Sequence, residues 1–216
     1  MTTPQLIASK IWRGYGKAAQ RLGPPVTVYR PTNALAPLMS SEIVATLPAS
    51  FAVDTKYVHY NKYGNASWYC LIDGNYTQPG DYLVGDDTWF IAQQHIDLPI
   101  LAIQCTRTIT LSRAAQQTGT GINGYGGNTV AGETTLLAGW PASVLKAPYG
   151  TRPEVNLPGD TIEPKWFLLL PSLVSTLGVT VVVRDIITDD LSRRYVVEAA
   201  EITELGWRIV CRQVMT

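Results

Sequence analysis

Asp185-Ile186-Ile187-Thr188-Asp189-Asp190-Leu191-Ser192-Arg193-Arg194-Tyr195-Val196-Val197 reads as two β-strands closed by a polar turn. β-branched, apolar and aromatic residues flank a cluster of Asp, Ser and Arg, which is the pattern of a hairpin. A stretch in the first half of the chain, Asp81-Tyr82-Leu83-Val84-Gly85-Asp86-Asp87-Thr88-Trp89-Phe90-Ile91, has the same order of parts. Each has an aspartate, apolar residues, an acidic turn and an aromatic entering an apolar strand. The two copies predict two similar β-modules in one polypeptide.

Three further landmarks recur in the same order around these hairpins. Pro48-Ala49-Ser50-Phe51 is set against Pro141-Ala142-Ser143-Val144, and Trp68-Tyr69-Cys70-Leu71 against Trp166-Phe167-Leu168-Leu169. Ile103-Gln104-Cys105-Thr106-Arg107 is set against Ile209-Val210-Cys211-Arg212. A rival register sets Pro79-Gly80-Asp81 and Trp89-Phe90 against Pro158-Gly159-Asp160 and Trp166-Phe167, and the sequence leaves both open. About five strands per copy, joined by tight turns, suit a small closed or half-closed barrel, which hides the edges of so short a sheet. The expected fold is therefore mainly β: two tandem small β-barrel or sandwich modules, a short N-terminal helix, and long Gly/Pro-rich loops.

The expected organisation is an N-terminal basic helical segment over 1–25, a first β-module over 26–111 and a second over 136–216. Between them, 112–135 is rich in Gly, Thr, Gln and Asn without apolar periodicity, and reads as an inter-module linker or a long exposed loop. A second loop-rich stretch, 147–164, carries Pro148, Pro153, Pro158 and Pro164.

Composition narrows the function classes. The chain has 216 residues, 46% of them hydrophobic, which fits globular modules rather than disorder. Its 17 basic residues balance its 17 acidic ones, so the whole chain makes no electrostatic case for nucleic acid or an anionic membrane. No apolar run is long enough to span a bilayer, and the first residues, with Pro4 among polar neighbours, lack the apolar core of a secretion signal. Three cysteines without C-x-x-C spacing and two histidines argue against a disulfide framework and a zinc site, so buried thiols are expected.

Catalytic chemistry finds no anchor in the pattern. Asp86-Asp87 and Asp189-Asp190 are read as turn residues, because Asp bonds its own backbone there, rather than as a metal or acid–base pair. His59 and His95 have no local acid or nucleophile, and the glycine run of 119–124 lies in no strand–turn–helix setting. The six tryptophans read mainly as core. The chain is expected to be a non-enzyme with no cofactor, no metal and no membrane partner.

One electrostatic feature stands out. Over 4–22 the spacing predicts a helix with an apolar patch at Leu6, Ile7 and Ile11, weakened at Gly14 and Gly16 and ended by Gly23-Pro24-Pro25. Lys10, Arg13, Lys17 and Arg21 recur at steps of three and four and share one face, with no acid before Glu42. They are candidate contacts for DNA or an acidic partner; a solvated face on a packed helix is the plainer alternative.

The hairpin pattern, with Arg193-Arg194-Tyr195-Val196-Val197 leading to Gly206-Trp207-Arg208-Ile209, resembles the small β-barrel of tailed-bacteriophage head-closure, or stopper, proteins. Gly80-Asp81 keeps that family's Gly-Asp, whereas Asp185 lacks the glycine; Tyr195-Val196-Val197 keeps its aromatic strand and Trp89-Phe90-Ile91 varies it. The resemblance covers roughly 78–107 and 183–213. It implies a virion structural protein, assembled in the host cytoplasm, forming a homo-oligomeric ring at the head–tail junction around the DNA channel. Its implied partners are further copies of itself, the portal, adaptor or other tail proteins, and packaged DNA. Alternatives are a distal tail hub or nozzle anchoring receptor-binding fibres and, from another class, a carbohydrate-binding or hydrolytic β-protein. On the hairpin reading Asp189 and Asp190 are exposed at a turn and Tyr195 is a buried anchor, with the same layout at Asp86, Asp87 and Phe90.

Overall fold

The computed structural model describes residues 3–53, 64–96, 98–114, 132–146 and 165–214. A helix, α1 (Thr3–Leu22), leads into seven strands: β1 (Pro25–Tyr29), β2 (Ile43–Pro48), β3 (Ser50–Ala52), β4 (Ser67–Leu71), β5 (Tyr82–Val84), β6 (Thr88–Gln93) and β7 (Ile100–Cys105). Six more follow: β8 (Arg107–Ala114), β9 (Glu133–Lys146), β10 (Lys165–Leu170), β11 (Ile186–Asp189), β12 (Arg194–Thr203) and β13 (Gly206–Val214), with a one-turn helix α2 (Leu173–Thr176) after β10. The fold is mainly β, as the alternation of the strands predicts. Among the described residues no helix is long and apolar enough to cross a membrane.

Strands β8 to β13 form a closed barrel in the order β10-β13-β12-β11-β8-β9. Strands β1 to β7 form a sheet in the order β2-β1-β5-β6-β7-β4-β3. Its two edge strands, β2 and β3, are one run broken only at Ala49, so the sheet returns to the strand it started from. Matching β2 plus β3 with β9, β1 with β8, β4 with β10, and β5, β6 and β7 with β11, β12 and β13 turns one order into the other.

The registers agree with this matching. Leu83 opposes Trp89 and Ile187 opposes Tyr195; Phe51 opposes Cys70 and Val144 opposes Leu168; Trp68 opposes Ala102 and Trp166 opposes Cys211. Both hairpins that follow carry a bulge at the same point, after Ile91 in β6 and after Val197 in β12. The core repeats as well. Val26, Val28, Ala49, Cys70, Ile72, Leu83, Trp89, Ile91, Ile100 and Ala102 fill the first module. Their counterparts Ile109, Leu111, Ala142, Leu168, Leu170, Ile187, Tyr195, Val197, Ile209 and Cys211 are all buried in the second.

Duplication therefore holds in three of the four landmarks, and the fourth shifts. Cys211 is the counterpart of Ala102 rather than of Cys105, whose partner position is Val214. Trp166 belongs with Trp68, so the rival pairing with Trp89 fails; Asp160 lies outside the described residues. The module boundary moves as well. Strand β8, expected in the first module, pairs with β9 and β11 of the second, and the chain crosses over at Thr106. The stretch 112–135 is thus no inter-module linker: Ala114 opposes Glu133, so what joins them connects neighbouring strands of one barrel. Residues 115–131 and 147–164 themselves lie outside the described residues.

The two modules share a core. Tyr82, Phe90, Ala92 and Ile103, on the first module, share one core with Leu137, Trp140 and the interior of the second. The Tyr82 ring meets Trp140 edge to face at 6.0 Å, and its hydroxyl donates to the Pro141 carbonyl at 2.7 Å. The bond satisfies a phenol that is fully buried. Helix α1 runs unbroken through both glycines, contrary to the weakening expected there. Tertiary packing outweighs the propensity cost: a Cβ at Gly16 would sit 2.8 Å from Asp73 Cβ, so glycine allows the close approach. The expected apolar patch is displaced too. Leu6 and Ile7 are half exposed, while Ala8, Gly16 and Ala19 form the buried side.

Candidate functional site

Each module is pinned by the same clasp. Arg30, just past β1, donates from Nε to Asp81 Oδ1 at 2.9 Å and from Nη2 to Oδ2 at 2.8 Å. Arg113, at the matching place in β8, donates to Asp185 at 2.7 and 2.9 Å through the same two nitrogens. Each aspartate is buried and takes a further bond from a backbone N–H three residues before it, Gln78 or Val182. The fork of a guanidinium matches a carboxylate in two parallel bonds, which fixes orientation as well as charge. Both arginine pKa values are raised above the ordinary value, chiefly by the hydrogen bond to the aspartate. Asp81 and Asp185, expected as hairpin residues, are therefore structural anchors. Sequence reasoning missed the arginines, because they stand 51 and 72 positions from their partners and share no spacing.

The residue before each aspartate has a left-handed backbone, Gly80 at φ 95° and Arg184 at φ 75°. The conformation survives in the second copy although the glycine does not.

The turns differ between copies, and here one expectation fails. Asp86 and Asp87 are exposed at the β5–β6 turn, and Asp190 is exposed within 3.8 Å of Arg107. Asp189, however, is buried. Its carboxylate accepts from the backbone N–H groups of Leu191 and Arg193, from Arg193 Nε at 2.7 Å, and from the Tyr195 hydroxyl at 3.1 Å. Four donors make burial tolerable for a group that turn statistics alone place outside. Burial pushes the Asp189 pKa up, but the bonds from Arg193 and Tyr195 outweigh it and the net shift is down. Tyr195 is fully buried as expected, and burial, followed by the nearby Asp189 charge, pushes it up to about 12. Its counterpart is Trp89 rather than Phe90. Phe90 is also buried, but in the seam between the barrels.

The Arg193 guanidinium stands 5.5 Å from the Trp166 ring centre and 5.9 Å from that of Tyr195, and those two rings meet edge to face at 5.7 Å. In the first module the same corner contains Trp68 and Trp89, edge to face at 5.4 Å, with Phe51 stacked on Trp89 at 4.1 Å. Those rings, with Asp87, Gln104 and the end of α1, line a cavity of about 340 Å³. A second hollow of about 500 Å³ lies on the outer wall of the second barrel, lined by Thr108, Thr110, Thr188, Asp189 and Arg194 among others. Arg194 is ion-paired there with Glu133.

Lys10, Arg13, Lys17 and Arg21 all lie exposed on α1, opposite the side formed by Ala8, Gly16 and Ala19, and none forms an ion pair among the described residues. Among the described residues no three His, Cys, Asp or Glu side chains lie close enough to share a metal ion. Cys70 and Cys211 are buried and Cys105 half buried, all as free thiols, and burial pushes all three pKa values up. Trp89, Trp140 and Trp207 are buried, and Trp12, Trp68 and Trp166 are partly buried. No protein-family model, curated protein or solved structure matches the chain.

Proposed function

We propose that this protein is a structural component of a tailed-phage particle, forming a homo-oligomeric ring at the head–tail junction around the DNA channel. The observation that carries this reading is the seam between the two barrels. Tyr82, Phe90 and Ile103 of one module receive Trp140 and Leu137 of an equivalent module. A contact between different faces of equivalent units is heterologous, the kind that closes into rings when repeated by rotation. The chain already contains one such step. The basic face of α1, with four cations unpaired among the described residues, would lie toward packaged DNA or an acidic partner surface, where phosphate neutralisation makes binding salt-sensitive.

Native mass spectrometry of the purified protein, alone and with the portal or adaptor protein of the same phage, tests this. Ring-sized homo-oligomers are expected, alone or with that partner. A monomer under every condition overturns the reading.

A further inference from the structure

The structure assigns to the first barrel a binding site for an arginine side chain brought by another polypeptide. The second barrel supplies the template. There, the corner between Trp166 and Tyr195 is filled by the chain's own Arg193, which also bonds Asp189. In the first barrel, Trp68 and Trp89 keep the edge-to-face pair, but the position of Arg193 is taken by Asp87. The match is fixed by the backbone. Gly85 N–H donates to the Asp87 carbonyl as Asp189 N–H donates to that of Arg193.

The charge at this position is thereby inverted, from a cation that fills the corner to an anion that borders an open cavity of about 340 Å³. Phe51 already stacks on the buried Trp89, so the partly buried Trp68, with the Asp87 carboxylate at the rim, is the ring left to attract a cation through its quadrupole and through charge. A planar guanidinium stacks on an indole better than a compact ammonium does. The carbonyl end of α1, at Leu22 and Gly23, also lines the cavity, and its backbone dipoles add partial negative charge. Asp87 has no cationic partner among the described residues, and Arg21, in the last turn of α1, does not line the cavity. Arg193 is delivered by a turn of polypeptide, and the occupant we infer for the first barrel is delivered the same way.

The test is a titration of the full chain with N-acetyl-L-argininamide, followed by the indole N–H resonances of the six tryptophans. Saturable shifts confined to Trp68 and Trp89 are expected. The neutral citrulline analogue should bind about tenfold more weakly or worse, as should the arginine probe to Asp87→Asn, a loss of about 1.4 kcal/mol. Arg193→Ala should open a second site, adding Trp166 to the responding resonances. If that variant does not fold, the wild-type titration still decides. Absence of saturable shifts at Trp68 and Trp89, or an equal response to the citrulline analogue, overturns the proposal.

Discussion

Arg113 and Asp185 repeat, bond for bond, the pairing of Arg30 with Asp81. Both pairs join the strand that opens a module to the residue that leads its central hairpin. In each, Nε meets one carboxylate oxygen, Nη2 the other, and a backbone N–H three residues upstream completes the set. Removing the guanidinium strands a buried carboxylate with that one N–H. Arg113→Met should cost about 2–3 kcal/mol, below the full penalty for breaking a buried pair because Arg113 itself is half in water. Arg30→Met should behave alike. Urea unfolding checks both, and combining Arg113→Met with Asp185→Asn should cost less than the two singles summed.

Gly80 and Arg184 hold the same left-handed backbone under opposite constraints. A Cβ at Gly80 would lie 2.8 Å from Leu173 Cβ, so Gly80→Ala adds a clash to an unfavourable φ and should destabilise the protein. At Arg184 the side chain is already present and strained. Arg184→Gly relieves about 1–2 kcal/mol of left-handed cost and loses about 0.5–1 kcal/mol to glycine's flexibility in the unfolded chain. A change between neutral and about 1.5 kcal/mol more stable is expected, read as a shift in the urea midpoint.

Asp189 and Tyr195 give the second barrel two pH limits of opposite sign. The Asp189 pKa is lowered on folding, so its contribution is present above the ordinary carboxylate range, about 3.9, and is lost as pH falls through the folded value. Tyr195 is raised to about 12, so its contribution is complete below pH about 10 and disappears as pH rises toward 12. Thermal melts across pH should show both edges. Asp189→Asn should flatten the acid edge and Tyr195→Phe the alkaline one, leaving the part due to Tyr82, whose pKa is also well raised by burial.

Neutralising the basic face should separate assembly from folding. Lys10, Arg13, Lys17 and Arg21 are all exposed, so replacing them together with Gln should leave the melting temperature within a few degrees. The same variant should fail to assemble into particles or to retain the genome. Normal yields of DNA-filled infectious particles would remove the assigned role of this face.

Much of the fold was legible because strand periodicity and turn chemistry act locally. The Trp68 and Trp166 strands, the segments that follow Pro48 and Pro141, and the aspartate-led hairpins keep their landmarks in register after duplication. The crossing at Thr106 was not legible, since β7 and β8 are separated by one residue without a turn signal and only pairing assigns them to different sheets. The burial of Asp189 was also hidden. It depends on Arg193 and Tyr195 folding back onto it, which the Asp-Asp turn signature does not encode. The open corner at Trp68 emerges only by comparing two equivalent places in space, where Asp87 replaces Arg193 after a turn shortened by two residues.

The ring reading is tested most directly by imaging phage particles that carry this protein with a bound label. Label density in a ring at the head–tail junction, coaxial with the DNA channel, is expected. Label at the distal tail tip, or particles without the protein, would contradict it.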